Sequence, residues 1–178
     1  MNNSYDVAIL GGGLAGLTLA LQTKKALPSA SIVIIERRDG GAPEAAHKVG
    51  ESTVELGTHY IREVLDLKDY MDEHQLPKHG LRFFFSPQHK NDISRRVELG
   101  PRELLPVPSH QIDRGTFENK LTELCQENGI EVLLGAKANE VEFDPAGHTV
   151  EFNHQNEDKK ITARWVIDST GRASFLKR

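Results

Sequence analysis

Gly11, Gly13 and Gly16 stand at the spacing G-x-G-x-x-G near the start of the chain. Each glycine has its own use in a turn that must meet a phosphate group. Gly11 permits a tight exit from a strand. Gly13 has no side chain to hold a pyrophosphate off the backbone, and Gly16 lets a helix lie close to a sheet. Leu14 and Ala15 fall in the first helical turn, whose N–H groups lack intrahelical partners and carry partial positive charge. Glu36 lies twenty positions after Gly16. A carboxylate there can accept hydrogen bonds from a ribose diol, and it disfavours a 2′-phosphate. Three glycines alone are a weak signal. Set between strand, helix, strand and acid, they point to a dinucleotide site, without separating NAD from FAD.

The elements that must position these residues follow from the apolar pattern. Residues 5–10 read as a strand, 14–26 as a helix and 31–36 as a second strand, with Pro28 ending the helix. Ala20, four residues past Gly16, suits close packing on the same helix face. Residues 37–51 read as a polar loop. Ser52 then caps a helix, with Glu55 completing a capping box and Val54, Ile61 and Leu65 on its apolar stripe. Residues 81–85 read as a strand and 86–94 as a loop; the Phe83-Phe84-Phe85 run reads as core buried on both faces, with the lining of a substrate cavity as the alternative. Asp113 starts a helix with Phe117, Leu121, Leu124 and Cys125 inward, and Gly129 stops it. A strand over 130–134 follows. Val141–Phe143 and Val150–Phe152 form a hairpin around 144–147, with a charged turn tip over 153–160. The last strand, 163–168, runs into Ser169-Thr170-Gly171-Arg172 and rejoins the first sheet. The fold class is α/β: a Rossmann-like parallel sheet with an antiparallel β insertion. Ligands in such sheets lie beyond the carboxyl ends of the strands, which puts Gly11–Gly16, Glu36 and Asp168–Gly171 on one rim.

Composition sets the outer bounds. A chain of 178 residues, 38% hydrophobic and 27% charged, can build one ordinary core. Its net charge of −4 argues against general nucleic-acid binding. No apolar run nears the roughly 20 residues that span a bilayer, and the first residues lack a signal peptide's basic region. Cys125 is the only cysteine, so no internal disulfide forms and a cytoplasmic location is expected; its helical position reads as packing. The eight histidines show no metal spacing, so no metal site is expected. His74 and His79 read as solvated, and His47 lies next to the segment taken up below.

Three segments together resemble the flavoproteins grouped with p-hydroxybenzoate hydroxylase. They are Gly11-x-Gly13-x-x-Gly16-x-x-x-Ala20 with Glu36, then Gln111-Ile112-Asp113-Arg114, then Asp168-Ser169-Thr170-Gly171-Arg172. The resemblance implies FAD as cofactor. Its ADP part would lie on the first segment, with Arg37 and Arg38 at the adenosine end. Gln111 and Arg114 would lie along the FAD chain, and Asp168 and Gly171 near the pyrophosphate. A fourth segment, Lys48-Val49-Gly50-Glu51-Ser52-Thr53-Val54, is similar to the V-G-E-[AS]-T-V strap of flavin-dependent (tryptophan) halogenases and of geranylgeranyl-reductase-like relatives. It implies that Val49, Gly50, Glu51 and Ser52 touch the flavin. Glu55 stands where the strap is usually followed by proline.

The halogenase likeness also implies a catalytic lysine. Lys78 falls on it, although Pro77 and Arg82 replace an aromatic residue and a second lysine of the pattern. Such an ammonium can hydrogen-bond hypohalous acid or be chlorinated by it, and so deliver halogen to an aromatic ring. A solvated lysine before a strand is the other reading. The family's longer members add a substrate domain and a Trp-x-Trp-x-Ile-Pro segment that these 178 residues do not contain, so the expectation is an N-terminal fragment, residues 1–178 forming the FAD-binding part. The implied enzyme is an FAD-dependent oxidoreductase of the halogenase kind, working through a flavin C4a-hydroperoxide on a small organic substrate, with a separate flavin reductase as a partner. An FAD-dependent monooxygenase or a geranylgeranyl-reductase-like enzyme is the alternative. A non-catalytic nucleotide-binding module is the alternative of another class.

Overall fold

The computed structural model describes residues 3–45, 47–86, 88–104, 106 and 108–177. The chain divides into two compact units, Met1–His47 with Asp113–Arg178, and Lys48–Ile112. The first unit opens with β1 (Ser4–Leu10), α1 (Leu14–Ala26) and β2 (Ile32–Glu36), within a residue of the expected bounds. Helix α1 stops at Leu27 because the residue before a proline is pushed out of the helical region; its ψ is 77°.

The second unit begins with an extended segment. Glu51 O accepts from Ile112 N at 2.8 Å, and Ser52 bridges Gln111. Helix α2 (Glu55–His59) follows, continuing as a π-helical turn over Tyr60–Val64. Its N-cap is Val54, whose side chain caps nothing. The expected capping box is therefore not formed: pairing of Ser52 with Gln111 holds that residue in extended backbone, two positions ahead of the cap. Next come α3 (Lys68–His74) and the short strands β3 (Leu76–Lys78), β4 (Phe83–Phe85), β5 (Val97–Leu99) and β6 (Ser109–Gln111). β3 pairs antiparallel with β6, and β4 with β5. The expected burial of Phe83-Phe84-Phe85 is overturned. Among the described residues β4 pairs with β5 alone, and the three phenylalanines are 53%, 38% and 56% exposed.

The first unit resumes with α4 (Arg114–Glu127), β7 (Glu131–Leu134), β8 (Ala136–Glu142), β9 (His148–His154) and β10 (Glu157–Asp168). The sheet order is β7-β2-β1-β10-β9-β8. β7, β2, β1 and β10 are mutually parallel, while β10, β9 and β8 form an antiparallel meander. β10 serves both halves: Glu157–Ala163 pair with β9, and Thr162–Asp168 run beside β1. It is longer than the expected 163–168, and the broad turn tip expected over 153–160 shrinks to Gln155 and Asn156, both at positive φ. Alternating apolar residues Ile161 and Ala163 carry the strand back into the core, which a charge-based reading of that stretch hides. α1 and α4 pack on each other, with Cys125 Sγ 3.7 Å from Leu17 O. Leu10, Val33, Ile35, Leu133, Val150, Phe152 and Ile161 form a buried cluster on the strands. Burying a side chain of that size stabilises by about 1.5–3 kcal/mol.

Candidate functional site

The glycine turn leaves β1 at Leu10 and enters α1 at Leu14. Gly11 has φ +107°, and a Cβ on it would lie 2.6 Å from Ser169 O. A Cβ on Gly16 would lie 2.1 Å from Gly11 O and 2.7 Å from Ser169 Oγ, so the helix can start this close to the strands only without side chains. Gly13 differs: its Cβ would meet nothing within 4 Å. Its missing side chain leaves an open approach to the N-terminus of α1, where Gly13 is the N-cap, no side chain caps the helix and no acid stands in the first turn. Glu36, at the end of β2, holds this turn. Its Oε2 accepts from Gly12 N at 2.6 Å and its Oε1 from Arg38 N at 2.8 Å. Each carboxylate oxygen retains further acceptor capacity, which a ribose diol can use.

β10 delivers the next rim residues beside the first. Asp168 pairs in register with Leu10, and the Ser169 hydroxyl lies 2.9 Å and 2.7 Å from the carbonyls of Leu10 and Gly11. Asp168 Oδ1 accepts from Thr170 N at 2.9 Å and Thr170 Oγ1 at 2.6 Å; Oδ2 accepts from Leu176 N at 2.9 Å. Burial works against the charge of Asp168. The bonds from Thr170 and Leu176 outweigh it and hold the carboxyl below the usual carboxylate range. Asp168 therefore shapes the turn that carries Gly171, which has φ +65° and open space at its Cβ position. Arg38 and Arg114 both reach the buried Glu118: Arg38 Nη1 lies 3.5 Å away, and Arg114 Nη2 pairs with it across one helical turn. Arg37 is exposed.

In the second unit, β6 lies between the strap and β3. Thr53 N donates to His110 O at 2.9 Å on one side, and Lys78 pairs with Ser109 on the other. Lys78 Nζ reaches back to the strap. It donates to Ser52 Oγ at 2.7 Å and to Thr53 O. An ammonium has three donors, and two are engaged here among the described residues. Val49 is 96% exposed, while Glu51 Oε1 accepts from Lys48 N at 3.0 Å. Gln111 lies in this unit and Arg114 in the other.

A family model described as FAD dependent oxidoreductase matches residues 6–178. The chain belongs to the FAD-dependent oxidoreductases. It is 40% identical over 193 residues to the flavin-dependent halogenase chlA of Dictyostelium discoideum, a match covering 96% of this chain and 32% of that protein. The chain thus spans about a third of the length of this curated relative. Its fold is that of the myxobacterial chondrochloren halogenase CndH, with TM-score 0.78, 22% identity, and coverage of 97% of this chain and 38% of that one. It is equally that of the p-nitrophenol 4-monooxygenase PnpA of Pseudomonas putida, with TM-score 0.76, 17% identity, and coverage of 99% and 43%.

The residues present fit FAD. The open face at Gly13 and the uncapped first turn of α1 suit an anionic pyrophosphate. Glu36 suits the adenosine ribose, with Leu14, Ala15 and Gly16 contributing the helix's leading backbone. Gly11, Gly13, Gly16, Glu36, Asp168 and Gly171 come together in the first unit. Val49, Gly50, Glu51, Ser52, Lys78 and Gln111 come together in the second. Sequence reasoning missed three residues. Glu118 was detectable as the acid four positions after Arg114. Thr53 lay unremarked within the strap. His110 had no signal: it is buried, with Nε2 3.8 Å from Asp72 Oδ1, a contact made across distant stretches of sequence. Burial, then the nearby Arg62 charge, keeps the His110 ring below its ordinary pKa, against the pull of Asp72. Among the described residues, no group of acids, histidines and cysteine could hold a metal.

Proposed function

We propose that residues 1–178 are the FAD-binding part of a flavin-dependent halogenase acting on a small organic substrate. The observation that carries this reading is Lys78. Its Nζ is tied to the strap at Ser52 Oγ and Thr53 O, and one N–H remains for a further acceptor. The likeness to chlA supports the same reading.

FAD, when bound, supplies the electron and oxygen chemistry that oxidises halide. The protein's share is binding and orientation. Gly13 and the first turn of α1 hold the pyrophosphate; Glu36 holds the ribose. Arg37 and Arg38 flank the adenosine end, with Arg38 steadied by Glu118. The remaining Lys78 N–H holds the oxygen of hypohalous acid, and the strap keeps the ammonium from swinging into bulk water. A separate reductase delivers the reduced flavin, and a reducing cytoplasm suits the lone thiol of Cys125. Among the described residues no helix is long and apolar enough to cross a membrane.

The test uses the natural-length protein that carries this chain, supplied with FAD, a flavin reductase with NADH, bromide and a phenol. Mass spectrometry is expected to show bromine incorporation by the wild type. Lys78→Ala is expected to lose it by at least about a hundredfold, the scale of removing a positioned catalytic group, while keeping bound flavin. A Lys78→Ala variant that brominates at the wild-type rate contradicts the role of Lys78. A hydroxylated, halogen-free product from the wild type assigns the chain to monooxygenases instead.

A further inference from the structure

We infer that Thr53 is a positioning residue for Lys78, acting through a clamp between the strap and β6. This rests on the reading of Lys78 given above. The Thr53 hydroxyl has one donor and two acceptor sites, and partners surround it. It accepts from His110 N at 2.8 Å, lies 2.7 Å from His110 O, and lies 2.7 Å from Oγ1 of the fully buried Thr58. Thr53 N donates to the same His110 carbonyl at 2.9 Å. Three contacts from Thr53 therefore fix one residue of the strap to one residue of β6, and a fourth ties it to α2. The clamp points the carbonyl of Thr53 at Lys78 Nζ.

The other side of β6 completes the device. Ser109, 1% exposed, donates its hydroxyl to Lys78 O at 2.9 Å and fixes the lysine's main chain. His110 anchors β6 itself: its ring is 1% exposed, beside Asp72, which pairs with Arg62. The lysine backbone and the strap are thus referenced to the same middle strand. The side chain spans the gap between them, with Ser52 Oγ and Thr53 O at its end. Neighbouring strands lie about 4.8 Å apart, so the strap and β3 stand roughly 10 Å apart across β6, a span that only a long side chain closes. Thr53 touches no reacting group in this scheme. It sets where the ammonium waits and which of its N–H groups stays available.

The clamp is tested by the acylation rate of Lys78 with an acetyl N-hydroxysuccinimide ester, followed by peptide mass spectrometry on the natural-length protein that carries this chain. An ammonium held by two acceptors must leave one and give up a proton to solvent before the lone pair of the resulting amine can attack the ester. Thr53→Val keeps the shape and removes the hydroxyl; it is expected to raise the Lys78 rate about two- to tenfold relative to other lysines, the range of one lost hydrogen bond. Thr53→Ser is expected to restore the wild-type rate. Ser52→Ala, at an exposed residue, removes the other acceptor without loading the fold and is expected to raise the rate by a similar factor. Folded Thr53→Val with an unchanged Lys78 rate overturns the clamp. Should Thr53→Val fail to fold, an unchanged rate in Ser52→Ala overturns it. Acylation involves no flavin, halide or turnover, so absence of halogenation with a shifted Lys78 rate sinks the halogenase reading and leaves the clamp standing.

Discussion

Asp168 shows how a residue that looks like a ligand group also shapes the local structure. Both of its oxygens are engaged by Thr170 and Leu176, and the turn bearing Gly171 is built on them. These bonds hold the carboxyl below its ordinary value of 3.8. The folded state therefore binds its proton less readily than the unfolded chain. The stabilisation is fully present above pH 3.8 and is lost as pH falls through the lower folded value. Urea midpoints measured from pH 6 downward are expected to fall more steeply below that point for the wild type than for Asp168→Asn, which has no such proton to bind. Parallel pH curves for the two proteins would contradict this assignment. Glu36, by contrast, accepts one hydrogen bond on each oxygen and keeps acceptor capacity for a ligand. Two acids thus stand at the ends of parallel strands, each shaping the backbone that follows or faces it through both of its oxygens.

At the scale of elements, the sequence was most legible where local chemistry and tertiary packing agree. The β1-α1-β2 unit, with its glycine turn and terminal acid, lies within a residue of its expected bounds because each signal there is short-range. Helix α4 is the same case. Asp113 Oδ1 accepts from Thr116 N at 3.1 Å, its other oxygen accepts from Ala45 N at 2.9 Å, and these bonds lower its pKa. Asp113→Ala is expected to cost about 1 kcal/mol and to lower Tm by about 2–4 °C in a chain of this size; a calorimetric Tm equal to wild type would argue against the cap. Legibility failed where pairing is long-range. Ser52 followed by Glu55 reads as a capping box, but Ser52 is taken by Gln111, fifty-nine positions on in sequence. Phe83-Phe84-Phe85 reads as core, yet the three side chains are largely exposed on a strand paired with β5. β3, β5, β6 and α3 were not anticipated at all. Strands of three residues carry too little pattern to announce themselves.

For the whole molecule, fold and family are settled together, since a family model spans residues 6–178 and the sheet carries the nucleotide-binding topology. Burial pushes the Cys125 thiol up to about 12, which agrees with its reading as packing between α1 and α4. Much of the candidate site was legible as well, because the glycine turn, Glu36, the strap and Lys78 are each carried by a few adjacent residues. What could not be read was how they are held: Arg38 reaching Glu118 from eighty positions away in sequence, Ser169 under the turn, and the Thr53–His110 pairing beside Lys78. Flavin retained by the purified chain tests most directly whether FAD sits at the glycine turn. After loading with FAD and desalting, the wild type is expected to keep flavin absorbance near 450 nm, released on heating. Gly13→Val, which fills the one open position of the turn, is expected to lose it while keeping the wild-type circular dichroism. Equal flavin retention by a folded Gly13→Val variant would contradict the placement of the pyrophosphate on this turn.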